Sequence, residues 1–600
     1  MVRGRKKMRK SPSREALRRQ GLGFEREWHV DCSFWAKRPR RRRVEVRFRK
    51  AIGPEEKPAL EFLGPPFTRP MPGVEILKKG RVFLEGGRPL ACDLLWERDL
   101  TVTLRDGVRL YLDVFRPLEV DGPVPAIVSW SPYGKGVPQP PPPGVPTEWV
   151  SGLQKFEGPD PAYWCQHGYA VVNVDTRGAF NSEGDIHFWG PIDAQDGYEV
   201  IEWVASQPWC NGRVALSGNS WLAIAQWFIA AQAPPHLAAI APWEGLTDLY
   251  RHDVLRGGIP NTGFNELIIR SLRGHNLVED IPAMVEQYPL FNEYWHQKAA
   301  PLEKVKVPAY VVASWTNDLH TLGTLEGFRR IASEHKWLRV HNTHEWHDYY
   351  HPENVEDLRR FFDFFLKGVK NGWEETPKVR LSILDPGGVD RTGVEESSWP
   401  VRADRERFYL DAGTKGLSRR LPPSEAFLEY KADDGQGKAV FEMAFEEDVE
   451  VIGYIELCLY VESKGADDMD LFVLLEKCDA QGNPLRHKAG IFPYFGPHGR
   501  LRVSHRELEE GPSVEGLPVH AHRRELPLKE GEIVSCRIPL WPTGMKWRKG
   551  ERLRLTICGY NPVPFHLPNV PGPKLRNKGI HRVHTGGKFP SHLYLPLRRI

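Results

Sequence analysis

The stretch Arg213-Val-Ala-Leu-Ser-Gly-Asn-Ser-Trp-Leu-Ala-Ile-Ala-Gln-Trp-Phe-Ile-Ala-Ala-Gln232 decides the fold. Residues 213–217 are short and apolar and read as a buried strand. Residues 221–232, rich in Ala, Leu, Ile and Trp, read as a buried helix. Between them sits Gly218-Asn219-Ser220. A strand that turns straight into a helix at a serine is a nucleophile elbow: the turn lifts the hydroxyl off the sheet's edge and aims the first helical N–H groups at whatever it attacks. Gly218 suits a turn that a side chain would crowd. The pattern departs from G-x-S-x-G, with Leu222 in place of the second glycine and a small residue, Ala223, one step later. A serine capping a core helix would give similar letters, so the rest of the chain has to decide.

Working outward, buried strands alternate with helices. Strands are expected at 125–130, 169–175, 237–242, 309–315 and 337–341, and helices at 193–206, 318–332 and 355–367. A hairpin at 98–115 turns at Asp106-Gly107. This rhythm predicts an α/β fold with a parallel sheet covered on both faces, whose ligands bind at the carboxyl ends of the strands. The core is expected at 76–245 and 304–372. Residues 246–303 break the rhythm with a helical pattern and read as a cap over the elbow. From 375 to 600 the pattern changes to short β-rich runs between turns, which predicts a β sandwich or jelly roll.

Hydrophobic residues at 40% and charged residues at 27% describe a globular protein of several domains. The first fifty residues hold 19 Lys and Arg against 5 Asp and Glu, and the rest of the chain is mildly acidic. Residues 1–75 therefore read as a basic, disordered arm with its densest cluster at Arg40 to Arg43. Nucleic-acid binding is not expected of it, because no folded recognition motif accompanies the charge. The eight cysteines are scattered and read as buried free thiols of a reducing, cytoplasmic compartment. No apolar run is long enough to span a membrane, and the start of the chain does not read as a secretory signal.

A serine hydroxyl needs a general base, and the base needs an orienting carboxylate. In this fold class the chain order is Ser, then Asp or Glu, then His. After Ser220, Asp318 follows one strand and His341 ends the next. They are the expected partners, with His344 the alternative base. Asp348 follows the histidine and breaks the order. His341, His344, His347 and His351 lie close enough to suggest a metal site; the elbow gives the first of them a better use, and no metal or cofactor is expected. The backbone N–H of Trp221 and the Tyr133 hydroxyl, in the loop after the 125–130 strand, are the candidate oxyanion donors.

The run of motifs Asp106-Gly-Val-Arg-Leu-Tyr-Leu-Asp-Val-Phe-Arg-Pro117, Ser131-Pro-Tyr-Gly-Lys135, Asp175-Thr-Arg-Gly178, Gly218-Asn-Ser-Trp221 and Asp318 resembles the CocE/NonD hydrolases, which include cocaine esterase and are similar to X-Pro dipeptidyl peptidases. Asp468-Met-Asp-Leu-Phe-Val473, Ser504-His-Arg506 and Leu540-Trp-Pro-Thr543 resemble the C-terminal domain of that family. The resemblance covers about residues 76–600. It implies an α/β-hydrolase core, a helical cap, a jelly-roll domain against the site, and Tyr133 as the side-chain half of the oxyanion hole. The chain departs from the family at Ala223, often Gly, and at Val340-His-Asn-Thr-His344, which replaces a Gly-Pro-Trp-x-His context. The expectation is a serine hydrolase that cleaves carboxylic esters or amides of small substrates through an acyl-enzyme. The alternatives are an Xaa-Pro dipeptidyl-peptidase, which needs an acidic group such as Asp248 or Asp253 to hold a free amine, and a dead hydrolase core that only binds. His505, His520 and His522 read as structural. A homodimer is compatible with the sequence.

Overall fold

The computed structural model describes residues 44–600 apart from 64, 66, 490–491, 512–513 and 565–569. Arg40 to Arg43, Cys32 and most of the basic arm lie outside the described residues. One eleven-stranded sheet carries the elbow. Its strands are β1 (Gly73–Leu77), β2 (Leu94–Thr103), β3 (Arg109–Pro117), β4 (Val124–Ser131), β5 (Ala170–Asp175), β6 (Cys210–Asn219), β7 (Leu237–Trp243), β8 (Ala309–Ser314), β9 (Lys336–His341), β10 (Val379–Ile383) and β11 (Arg391–Glu396). Their order across the sheet is β11-β10-β9-β8-β7-β6-β4-β5-β3-β2-β1. Strands β4 to β10 run parallel, and the two edges are antiparallel. Every residue of β4, β5 and β8 is buried, as a sheet covered on both faces requires. The covering helices include α1 (Pro191–Ala205), α2 (Ser220–Ala230), α3 (Thr321–Arg330), α4 (Glu345–Tyr350) and α5 (Pro352–Lys367). The order reverses between β5 and β6 around β4, so the loops after β4 and β6 open a crevice at the sheet's carboxyl edge. Tyr133 and Ser220 stand on those two loops.

Two boundaries differ from the sequence expectation. The core does not end near 372: β10 pairs parallel with β9 through Leu338↔Val379, and β11 closes that edge. The loss of helical rhythm after 375 marks two edge strands of the first sheet before it marks the second. Nor is the chain from 46 to 75 a free arm. Residues Phe48–Lys50 form a strand against Leu277–Glu279, and β1 extends the main sheet. Arg49 reaches Glu266 at 2.8 Å and Asp280 at 2.6 Å. The partners lie more than two hundred residues away, so local sequence gives no sign of them.

Between β7 and β8 the chain runs through short helical turns, among them Gly263–Ile269, Ile281–Gln287 and Glu293–Gln297. After β11 a second eleven-stranded sheet forms, antiparallel except for a single bridge at Gly416↔Glu442. Its spine, Val449–Lys464, pairs with Val534–Trp547, Ile580–Thr585 and His592–Arg599. The two sheets are joined by main chain. Leu384 N–H donates to Gly544 O and Lys546 N–H to Leu384 O, both at 2.8 Å. Beneath this joint the Trp315 indole donates to Ser382 O at 2.6 Å and packs on Trp399. Among the described residues the cysteines form no disulfide, and no helix is long and apolar enough to cross a membrane.

Candidate active site

Strand β6 ends at Asn219 and α2 begins at Ser220 with no residue between. Ser220 has φ +49°, a left-handed conformation that costs energy for a residue with a side chain. Two main-chain bonds hold it there: Asn219 N–H to Glu157 O at 3.1 Å and Ser220 N–H to Glu244 O at 3.0 Å. Gly218 is required at φ +145°, since a Cβ would lie 2.5 Å from Leu222 Cδ2 and 2.8 Å from Glu157 O. Ala223 takes up room against the β7–β8 connection, and Gly245 gives it back: a Cβ on Gly245 would sit 2.8 Å from Ala223 Cβ.

Trp221 is the second residue of α2, so its N–H has no carbonyl one turn back to bond. Its ring is buried against Trp189 at 4.5 Å and Phe188 at 4.8 Å, and the Trp189 indole donates to Trp221 O. Tyr133 packs edge-on to Trp221 at 5.8 Å. Burial, then the nearby Glu157 and Glu345, push its hydroxyl well above the ordinary phenol range. It keeps its proton and remains a donor.

The histidines separate. His320, the residue before α3, is buried with Nε2 3.2 Å from Ser220 Oγ and 3.9 Å from Glu345 Oε2. His341, the base expected from sequence, points elsewhere. Its Nε2 is 2.5 Å from Glu244 Oε1, and its Nδ1 accepts the Thr343 N–H and lies 3.7 Å from Asp348. An imidazole engaged on both nitrogens in this way is not turned to Ser220. The carboxylates within 4 Å of His341, among the described residues, are Glu244 and Asp348 rather than the expected Asp318. Asp318 instead lines a cavity with Asp253, Arg256 and Arg500. His344 caps α4, and its ring packs on Trp346. His347 and His351 flank Trp149. The close spacing in sequence thus spreads over several environments. His505 and His522 meet at 2.9 Å, beside His520, where the second sheet faces the β7–β8 insertion.

Three glutamates surround this centre. Asn317 Nδ2 donates to Glu244 at 2.8 Å and to Glu345 at 3.2 Å. Glu157 accepts the Trp346 indole N–H on Oε1 at 2.7 Å, while its buried Oε2 has no partner. Burial, and then repulsion from Glu244, push Glu157 up to about 8 despite that bond. Burial first, then Glu244 and Glu157, hold Glu345 well above the ordinary carboxylate range. Clustered buried carboxyls beside a nucleophile mark functional sites more often than structural ones. The sequence reading missed His320, Glu157, Glu244 and Glu345. Position gives the available signal for two of them: Glu244 directly follows β7, and His320 closes the loop after β8, both at the sheet's carboxyl edge.

Comparison with known proteins identifies the family. Residues 106–275 match the family model described as X-Pro dipeptidyl-peptidase (S15 family), and 371–594 match X-Pro dipeptidyl-peptidase C-terminal non-catalytic domain. The chain is 25% identical to cocaine esterase of Rhodococcus sp. over 606 residues, covering 83% of this chain and 98% of that one. It is 22% identical to Xaa-Pro dipeptidyl-peptidase of Streptococcus pneumoniae over 459 residues, covering 66% and 60%. A solved CocE/NonD family hydrolase from Staphylococcus aureus superposes with a TM-score of 0.82 at 36% identity, over 90% of this chain and all of that one. A serine at a strained elbow, a histidine nitrogen beside it and likeness along nearly the whole chain lead to one assignment: the chain belongs to the CocE/NonD family of serine hydrolases.

Proposed function

We propose that this hydrolase is a carboxylic esterase with Ser220 as nucleophile and His320 as its base. The observation that carries the reading is the 3.2 Å separation of His320 Nε2 from Ser220 Oγ. His320 takes the hydroxyl proton as Ser220 attacks the ester carbonyl, then gives it to the departing alcohol. Water, deprotonated by the same nitrogen, releases the acid from the acyl-enzyme. The Trp221 N–H and the Tyr133 hydroxyl receive the oxyanion. Glu345 lies 3.9 Å from His320 Nε2. His341 is a positioning residue. It holds the Glu244 carboxylate, while Glu244 O holds the Ser220 N–H. These steps need no metal or organic cofactor. The second sheet, which we read as a jelly roll, supplies one wall of the substrate cavity.

The test is fluorophosphonate labelling and p-nitrophenyl butyrate hydrolysis for wild type and for Ser220→Ala, His320→Gln, His341→Gln and His344→Gln. Ser220→Ala should abolish both signals. His320→Gln should lower kcat by roughly 10³-fold, with smaller losses for the other two. An active His320→Gln beside an inactive His344→Gln or His341→Gln would move the base to that residue.

The glutamate cluster favours a second reading, removal of dipeptides from a free amino terminus, because buried carboxyls beside Ser220 suit an ammonium group. Of the acidic groups expected for this role, Asp248 is paired with Arg251 at 3.0 Å and Asp253 faces the neighbouring cavity. Faster turnover of Ala-Pro-p-nitroanilide than of the ester would establish it.

A further inference from the structure

A cavity of about 390 Å³ opens between the β7–β8 insertion and the second sheet. Two arginines reach into it from opposite walls. Arg256, on the turn Arg256–Gly258, is 8% exposed, and its guanidinium stacks 3.6 Å over Trp541. It donates to His498 O at 2.6 Å and meets His498 Nε2 at 3.2 Å. Arg500 lies two residues along the same strand, His498–Arg502, and so on the same face as His498. It donates to Asp253 O at 3.1 Å, and its buried Nε has no partner. Among the described residues no carboxylate lies within salt-bridge distance of either guanidinium. Nearly every other deeply placed arginine here has one: Arg339 holds Asp348, and Arg502 holds Asp470. Burial and mutual repulsion hold Arg256 well below its ordinary range, and burial brings Arg500 down to about 10. Asp318, and for Arg500 also Asp253, act on these guanidiniums only across the cavity; neither fork holds a carboxylate directly, and a ligand carboxylate would complete it.

The cavity adjoins residues that neighbour the proposed catalytic centre. A smaller one beside it shares Asp318, Leu319 and His498 and continues to Asn317, His344 and Glu345. Glu345 in turn lies 3.9 Å from the His320 nitrogen that meets Ser220. We infer that Arg256 and Arg500 bind a carboxylate carried by the substrate, so that the enzyme acts on monoesters of dicarboxylic acids or similar acid-bearing esters. This rests on the esterase reading of Ser220. The planar fork of a guanidinium matches a carboxylate. Asp253 and Asp318 in the same lining make the pocket a poor host for a doubly charged phosphate.

Two measurements test the site, one of them independent of turnover. Ser220→Ala protein should bind glutarate in calorimetry and should bind neither glutaramide nor inorganic phosphate comparably. Adding Arg500→Gln should abolish glutarate binding, and Arg500→Lys should restore part of it. In turnover, kcat/KM for p-nitrophenyl hydrogen glutarate relative to p-nitrophenyl butyrate should fall by about 10–100-fold in Arg500→Gln, with its melting temperature recorded to show that it folds. Equal binding of glutarate and glutaramide, or an unchanged ratio in a folded variant, would overturn the assignment. Failure of the esterase reading would look different: glutarate binding intact, with neither ester turned over by wild type.

Discussion

Glu157 carries a stability signal that pH can read out. Its carboxyl is buried, keeps one bond to the Trp346 indole and is pushed up to about 8. Its value in the unfolded chain is near 4.5. The native state therefore binds the proton more tightly than the unfolded state. The sign follows: stability from this group is complete below the unfolded value, is lost as pH rises through the interval, and is gone above about 8. The rise corresponds to on the order of 4–5 kcal/mol. Glu157→Gln mimics the protonated form. It keeps the acceptor for Trp346 and puts an NH₂ where Oε2 has no partner, facing the other carboxyls. Urea unfolding of wild type and variant at pH 5.5 and 8.5 is the assay. The variant should be the more stable by roughly 1–1.5 kcal/mol at pH 5.5 and by about 4–5 kcal/mol at pH 8.5. A difference that does not change with pH would refute the argument, because only titration of this carboxyl distinguishes the two proteins.

Other perturbations follow from the same contacts. Tyr133→Phe removes the proposed oxyanion donor and should lower kcat by roughly 10²-fold while KM changes little in steady-state ester hydrolysis. Gly218→Ala forces a Cβ into Leu222 and Glu157 O at a left-handed φ; it should cost about 1–3 kcal/mol and abolish fluorophosphonate labelling of protein that still folds. Lys477 is fully buried between Asp385 at 2.8 Å and Glu551 at 3.0 Å. Lys477→Met leaves Arg548 alone to hold both carboxylates and should cost about 1.5–3 kcal/mol by chemical denaturation. Removing residues 1–43 should leave ester hydrolysis unchanged. Removing 1–50 takes away the strand on Leu277–Glu279 and the Arg49 pairs, and should lower the melting temperature.

What could be read from the sequence was whatever local chemistry specifies. The elbow announces itself because a strand, a glycine, a serine and an apolar helix must follow one another within a dozen residues. The parallel strands announce themselves because burial on both faces makes them continuously apolar, as in β4 and β8. The base was harder to read, because strand order brings residues to an edge without aiming their side chains. His341 and His320 both reach the carboxyl edge of the sheet, yet His341 turns to Glu244 and His320 to Ser220. That choice depends on which neighbours are already occupied, and the neighbours come from β7 and from the turn before α4. The strand at Phe48–Lys50 was hidden for a related reason. Its charged, half-exposed residues resemble a solvated arm until distant partners supply the ladder and the counter-ions.

The joint at Leu384 has a further consequence. One residue gives its N–H and its carbonyl to the Gly544–Lys546 segment, and Trp315 lies directly beneath. A cavity wall fixed by main-chain bonds on one side cannot swing open like a door. Access to the cavity then depends on the short turns between β7 and β8, and changes of substrate range among relatives would be written there while the frame behind them stays still.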